Sequence, residues 1–222
     1  MKNILIFFLI ITIKTQAQVI PIAFIKSSTI SIPFTLPTVT IGGKEWMANN
    51  LDVTTYRDGT EIPYVSGTSD WANLTTGAWC WPGGVEANGA IYGKLYNWYA
   101  VNDPKGFCPV GSHMPTDAEW SALATAIGSS TGGKMKTTGT SRWQSTNVGA
   151  TNSSNFGGLP GGSRNNTGSF TALLVGQWAF FWSATSVDGT TAKYRNLDYF
   201  SASLTSGTTY KKNGMSVRCI KD

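Results

Sequence analysis

Residues 115–128 read PTDAEWSALATAIG, and this stretch carries the clearest structural signal in the chain. Thr116 is followed three residues later by Glu119, which is the spacing of a helix capping box. Apolar residues then recur at helical spacing and form one face: Trp120, Leu123, Ala124 and Ile127. Gly128 is a typical residue at a helix C-terminus. The sequence therefore predicts an amphipathic helix from residue 116 to residue 127.

Short strand signals surround this helix on both sides. Residues 39–47 predict a β-hairpin with its turn at Gly42-Gly43. Residues 92–101, YGKLYNWYAV, fit either a short helix or a strand, and we favour the helix. Further strands are expected at four places: residues 78–81, 180–184, 192–197 and 214–220. Turn dipeptides precede the last two of them, which indicates an α+β domain with small antiparallel sheets.

The first residues of the chain predict export. Lys2 is followed by an apolar run at residues 4–13, and residues 15–17 resemble a small-x-small cleavage site, so we expect a signal peptide at residues 1–17. The run is too short for a membrane span, which takes about 20 residues. An uncleaved anchor and a buried first strand are the alternatives. Residues 18–38 contain three prolines and predict an extended lead-in to a domain at 39–222.

The charge pattern argues against a nucleic-acid partner. Export removes two of the 17 basic residues, Lys2 and Lys14, which leaves 15 against 12 acidic ones, or +3. Apart from Lys211-Lys212 the basic residues are scattered, whereas nucleic-acid-binding domains usually carry a basic stripe. We therefore expect an exported protein that is periplasmic, surface-located or secreted, with no transmembrane segment after leader removal.

Catalytic and metal-binding motifs are absent from the sequence. A catalytic triad needs a base, and the single histidine, His113, is better explained as a structural residue before a helix. The spacing of Cys80, Cys108 and Cys219 does not fit a zinc site. We expect no catalytic residue and no cofactor, although calcium held by loop Asp and Asn side chains stays open. An oxidising compartment favours one disulfide among the three cysteines, and spacing alone does not identify the pair.

Aromatic residues are concentrated among small polar ones between residues 178 and 210. Rigid aromatic side chains mixed with Ser, Thr, Asn and Gly are typical of binding surfaces, although most of the nine tryptophans should fill the core. The candidate ligand-binding residues are Trp178, Tyr194, Arg195, Asp198, Tyr199 and Tyr210, with Phe200 among them.

Six segments, in order, resemble the Fibrobacter succinogenes major paralogous domain family. They are IGGKEWMANNL at 41–51, YGKLYNWYAV at 92–101, CPVGSHMPTDAEW at 108–120, LPGG at 159–162, FWSAT at 181–185 and KKNGMSVRC at 211–219. The match covers about residues 39–222. Ser112 stands where the family usually has Trp, and Met215 where it usually has Phe; both positions look structural.

The resemblance implies an exported bacterial protein with a C-type lectin-like fold: α+β, with short twisted antiparallel sheets and one or two helices. Residues 114–120, MPTDAEW, also look like the helix start of the formylglycine-generating-enzyme branch of that superfamily. The EPN, QPD and WND motifs of calcium-dependent lectins are missing, and no catalytic cysteine pair is matched. In lectin-like folds a cysteine near the first helix often bridges to the last strand, which implies a Cys108–Cys219 disulfide with Cys80 free.

These expectations combine into one functional hypothesis and two alternatives. The hypothesis is an exported, non-catalytic recognition domain that binds a protein or glycan through its aromatic and polar C-terminal surface. The first alternative is a glycan-active or formylglycine-type modifying enzyme, against which buried or disulfide-bonded cysteines would count. The second is a structural or adhesive surface protein that self-associates.

Overall fold

The computed structural model describes residues 36–170 and 175–222. The strands are β1 (Thr38–Ile41), β2 (Lys44–Met47), β3 (Trp79–Cys80), β4 (Leu95–Tyr96), β5 (Ser112–His113), β6 (Trp178–Ser186), β7 (Thr191–Asp198), β8 (Thr205–Tyr210) and β9 (Ile220–Lys221). The helices are α1 (Thr68–Ala72), α2 (Glu86–Tyr92), α3 (Trp98–Val101), α4 (Asp117–Ile127) and α5 (Thr131–Met135), with a 3₁₀ turn at Pro82–Gly84. The predicted signal peptide, and the predicted lead-in up to residue 35, lie outside the described residues.

The strands form three small sheets in which neighbouring strands pair antiparallel. One has the order β1-β2-β9-β5, the second consists of β3 and β4, and the third has the order β6-β7-β8. Together with the short helices they make a mixed α+β, mostly β domain. Within the described part of the chain, no helix is both long and apolar enough to span a membrane.

Helix α4 confirms the strongest local prediction. The hydroxyl of Thr116 accepts a hydrogen bond from the Glu119 backbone N–H, and the Glu119 carboxylate accepts one from the Thr116 backbone N–H at 2.8 Å. This reciprocal pair satisfies two otherwise free donors at the helix start. Gly128 is the C-terminal cap with a φ of 78°, a conformation that favours glycine. The hairpin of β1 and β2 is confirmed as well.

Three local predictions are corrected by the structure. Residues 92–101 are neither one helix nor one strand: they hold the end of α2, the two-residue strand β4, and then α3. The expected strand at 214–220 is reduced to isolated bridges at Gly214, Met215 and Ser216 and to β9. Strand β8 was not predicted, because its sequence TSGTTY has no alternating apolar residues.

The core lies on both faces of the β6-β7-β8 sheet. On one face, Trp120 and Leu123 of α4 pack with Phe181 of β6, and the ring centroids of Trp46 and Trp120 are 4.8 Å apart. On the other face, Trp182 is fully buried and its indole N–H donates to the Tyr96 carbonyl at 2.8 Å. The sheet is therefore held on both sides along part of its length.

Three fully buried cations hold the irregular segments together: Lys136, Arg164 and Arg218. The Lys136 ammonium donates to three backbone carbonyls at 2.8–2.9 Å, those of Val148, Asp198 and Ser201. The Arg164 guanidinium donates to four backbone carbonyls, those of Val65, Ser66, Gly67 and Gly168. Arg218 binds the side-chain oxygen of Asn50 and the carbonyls of Met47, Phe156 and Gly157. Buried charges persist only when fully hydrogen-bonded, so these contacts fix the loops.

Candidate functional site: an aromatic row

Four partly exposed rings lie side by side at one end of the β6-β7-β8 sheet. They follow the order Phe200, Trp178, Phe180, Tyr194, and we call them the aromatic row. Neighbouring ring centroids are 5.3, 5.7 and 5.8 Å apart. The rings of Trp178 and Phe180 are nearly parallel, with an interplanar angle of 15°. The row therefore combines contact with the core, through Phe180 and Tyr194, with partly exposed ring surface.

Strand geometry explains why these side chains share a face. Trp178 and Phe180 are two residues apart in β6, and successive side chains of a strand point to opposite faces. In the register of β6 and β7, Tyr194 lies opposite Trp182, which puts it on the same face. Phe200 lies two residues beyond the end of β7 and is 54% exposed. The opposite face of the same strands packs on α4, so the row rests on a buried support.

Gly207 in β8 makes room for the end of the row. It is the direct cross-strand partner of Tyr194, and a Cβ atom built on it would lie 2.6 Å from the tyrosine ring and hydroxyl. That distance is far below a van der Waals contact, so a side chain at this position would displace the ring. The glycine therefore lets Tyr194 lie flat across β8 toward the edge of the sheet.

The surroundings of the row are polar but uncharged at the surface. Asn196, on the same face, accepts a hydrogen bond from the Thr205 hydroxyl. The one acidic residue on this face, Asp198, is 4% exposed, and its carboxylate accepts from the Phe200 backbone N–H at 3.1 Å. Its carboxylate thus orders the chain that carries Phe200, and a ligand would meet rings and neutral hydrogen-bonding groups.

The structure brings together two of the six predicted ligand-binding residues, Trp178 and Tyr194. Arg195 is 8% exposed and donates to the Asp117 carboxylate at 2.7 Å, on the α4 side of the sheet. Tyr199 packs against the α4-side core and also touches the end of the row, since its ring centroid is 5.2 Å from that of Phe200. Asp198 has the structural role given above. Tyr210 is 53% exposed, but the register puts it on the opposite face from Tyr194.

Sequence reasoning missed two residues of this surface, Phe180 and Gly207. The signal for Phe180 was present: in the run WAFFW at 178–182, alternate residues share a face, so Trp178 predicts that position 180 accompanies it. Gly207 had no such signal, because its role depends on a cross-strand neighbour in a strand that was not predicted.

A second aromatic cluster is formed by Tyr64, Trp79 and Trp81, and a lysine side chain of the same domain already contacts two of its rings. The Lys94 ammonium lies 4.7 Å from the Trp79 ring and 4.8 Å from the Trp81 ring, and it pairs with the Asp52 carboxylate. Trp79 is 7% exposed. Although Tyr64 is 47% exposed, the Trp79 and Trp81 rings already contact the Lys94 cation, so the aromatic row is the better candidate.

The cysteines have the arrangement implied by the family resemblance. Cys108 and Cys219 form a disulfide across a sequence separation of 111 residues. Cys80 is free and buried, and burial raises the pKa of its thiol to about 12. A buried thiol of that pKa is almost entirely protonated at neutral pH and is a poor nucleophile.

His113 is held between two carboxylates. Its Nε2 lies 2.9 Å from Glu119 and its Nδ1 lies 2.6 Å from Asp222. Partial burial alone would lower the pKa of His113, but the hydrogen bonds to Glu119 and Asp222 outweigh it, and the pKa lies above its usual value. In residues 36–170 and 175–222, no group of three or more His, Cys, Asp or Glu side chains is placed to hold a metal ion.

The architecture defines a small α+β, mostly β domain that carries a row of aromatic rings on one sheet face. The model of the Fibrobacter succinogenes major domain matches residues 39–221, so the chain belongs to that family. Comparison with curated proteins and with solved structures gave no match.

Proposed function

We propose that this protein is an exported, non-catalytic recognition domain that binds its ligand through the aromatic row. The observation that carries the proposal is the row itself: four rings, spaced by 5.3–5.8 Å, on a sheet face supported from behind. Exposed aromatic rings of this kind are costly to leave in water and bind the apolar faces of ligands. A surface that a ligand covers would recover that cost.

The chemistry of the surroundings favours a neutral glycan over a protein ligand. Sugar rings offer apolar C–H faces for stacking and hydroxyl groups for hydrogen bonds. The row offers rings beside the exposed Thr205, whose hydroxyl is held by the buried side chain of Asn196. On this face the β6, β7 and β8 strands carry no charged side chain other than the buried Asp198. Charged ligands would find no partner along the row.

The state of the potentially reactive groups supports a non-catalytic role. Cys108 and Cys219 are tied up in a disulfide, the thiol of Cys80 is buried, and both ring nitrogens of His113 contact carboxylates. A formylglycine-type or other thiol-based reaction would need an accessible thiolate.

The proposal includes a C-type lectin-like fold and an extracytoplasmic location. Small antiparallel sheets around one capped helix, with a disulfide from the segment before α4 to the last residues before β9, support the fold. A structural disulfide is typical of oxidising compartments outside the cytoplasm, which is compatible with export. Whether a calcium ion held by loop side chains takes part in binding is a separate point, tested by measuring ligand binding with and without a chelator.

The test is a glycan and surface-protein array probed with residues 18–222 and with matched variants. We expect Trp178→Ala and Tyr194→Ala each to weaken binding at least about tenfold, which corresponds to about 1.4 kcal/mol. Tyr210→Ala is the control, because Tyr210 is 53% exposed and lies on the opposite face. Unchanged binding by a folded Trp178→Ala/Tyr194→Ala double variant would refute the site. Binding to proteins alone would replace the glycan by a protein ligand.

A further inference from the structure

The outer edge of β8 has unpaired backbone groups. Lys211 N–H donates to the Thr190 carbonyl, and on the far side of the sheet Ser216 pairs with the Phe180 carbonyl and the Trp182 N–H. The backbone N–H and C=O groups of successive residues point to opposite sides of a strand. Both observations therefore identify the same residues of β8 as pointing toward β7. Residues 205, 207 and 209 turn their backbone groups toward β7, whereas Ser206 and Thr208 turn theirs outward, where no described residue meets them.

Among the described residues, the outer edge of β8 has none of the features that normally stop an edge strand from pairing with another chain. Sheet edges are usually blunted by charged side chains, proline or a covering loop. The six residues of β8, TSGTTY, contain no charge and no proline, and their burial alternates between exposed and partly exposed. β6, in contrast, has its outer edge covered by bridges to Gly162 and Ser216. The open edge therefore belongs to β8.

We propose that β8 pairs antiparallel with β8 of a second copy of this chain, with the two-fold axis between the two Gly207 residues. In this register Ser206 of each copy lies opposite Thr208 of the other, and their outward N–H and C=O groups form four hydrogen bonds. The facing side chains at residues 205–209 are small and uncharged, Tyr210 lies opposite Leu204, and Lys211 lies opposite Ser203, so like charges do not meet. The edge is thus complementary to itself, as an isologous dimer requires.

The dimer would also join the two aromatic rows. The Tyr194 ring lies over Gly207, which sits at the proposed axis. The two Tyr194 residues are then three strand spacings apart, about 14 Å between Cα atoms at about 4.8 Å per strand, and each ring reaches toward the other. Eight rings form one strip across six strands. A binding role for this doubled face rests on the proposed function, whereas the pairing of β8 does not depend on it.

The expected association is weak, because one six-residue edge buries far less surface than a standard interface. Sedimentation velocity should show a monomer that shifts to a dimer as concentration rises toward the millimolar range. Thr208→Pro removes the outward N–H and should reduce dimer formation at least about tenfold. It leaves the monomer's own hydrogen bonds intact, because proline is tolerated where the N–H faces solvent. Thr208→Val keeps the N–H and is the matched control.

Cysteine pairs test the register without relying on the proline variant. Thr205 lies opposite Thr209 of the second copy in a non-hydrogen-bonded pair, where Cβ atoms are close enough for a disulfide. Thr205→Cys/Thr209→Cys should therefore form disulfide-linked dimers on mild oxidation, and Thr205→Cys alone should not. A monomer at every concentration, or a dimer that ignores Thr208→Pro and does not cross-link, overturns the inference. A cross-linked dimer that binds nothing on the array supports it while refuting the proposed function.

Discussion

Replacing Lys136 by Met should be among the most destabilising single changes in the domain. The ammonium is fully buried and is the donor for three carbonyls at 2.8–2.9 Å. The Asp198 carbonyl is buried, so its lost charged hydrogen bond costs about 2–3 kcal/mol, and the two partly buried carbonyls cost about 1 kcal/mol each. The sum is about 4–5 kcal/mol, a large part of a domain's stability of roughly 5–15 kcal/mol.

Guanidinium denaturation followed by tryptophan fluorescence would measure this loss, and the melting temperature should fall by roughly 10–15 °C. Lys134→Met is the matched control: Lys134 is two residues away and its ammonium meets one carbonyl, that of Ile127, at 3.0 Å. We expect the control to lose less than about 1.5 kcal/mol. If Lys136→Met also lost less than that, the ammonium would not be holding the three segments.

Three further outcomes follow from the structure. Because the folded pKa of His113 is raised, its stabilising contribution is complete below its unfolded pKa of about 6.5 and is lost as pH rises through the folded value; thermal melts and the NMR titration of this single histidine should show this, and His113→Gln should abolish the dependence. Replacing Cys108 and Cys219 by Ala should cost about 3–5 kcal/mol, measured by denaturant unfolding against the parent protein, because the bond closes a long loop. Gly132→Ala should prevent stable folding, since its Cβ would lie 2.1 Å from the Ser203 carbonyl oxygen, whereas Gly189→Ala, with no neighbour within 4 Å, should change the melting temperature little.

The parts of the fold that the sequence predicts are those determined by neighbouring residues. The capping box at Thr116 and Glu119 and the hairpin turn at Gly42-Gly43 involve contacts within a few positions, and both are present. Strands β6 and β7 also follow from local aromatic and β-branched runs. The two-residue strand β4 and the irregular path of 214–219 depend instead on partners far along the chain, such as the bridge of Tyr96 with Met215.

In the candidate site, too, the sequence predicts what depends on nearby residues but not what depends on distant partners. Trp178 and Tyr194 were predicted from composition, but composition does not say which way a side chain points. Arg195 was predicted to bind ligand because it lies among exposed aromatics, yet alternation puts it on the face that packs on α4, where Asp117 is its partner. The buried positions of Lys136, Arg164 and Arg218 could not be foreseen, because charged residues are usually exposed.

The buried cations have a consequence for how this scaffold tolerates sequence change. The hydrogen bonds of Lys136 and Arg164 all go to backbone oxygens, and every amino acid supplies the same carbonyl. Val148, Ser201 and Ser66 themselves can therefore be exchanged without removing a single acceptor. These two side chains hold the loop backbones in place, so the side chains on the loop surfaces can vary. A combinatorial library at these loops, with the two cations kept, should yield folded proteins with new surfaces at high frequency.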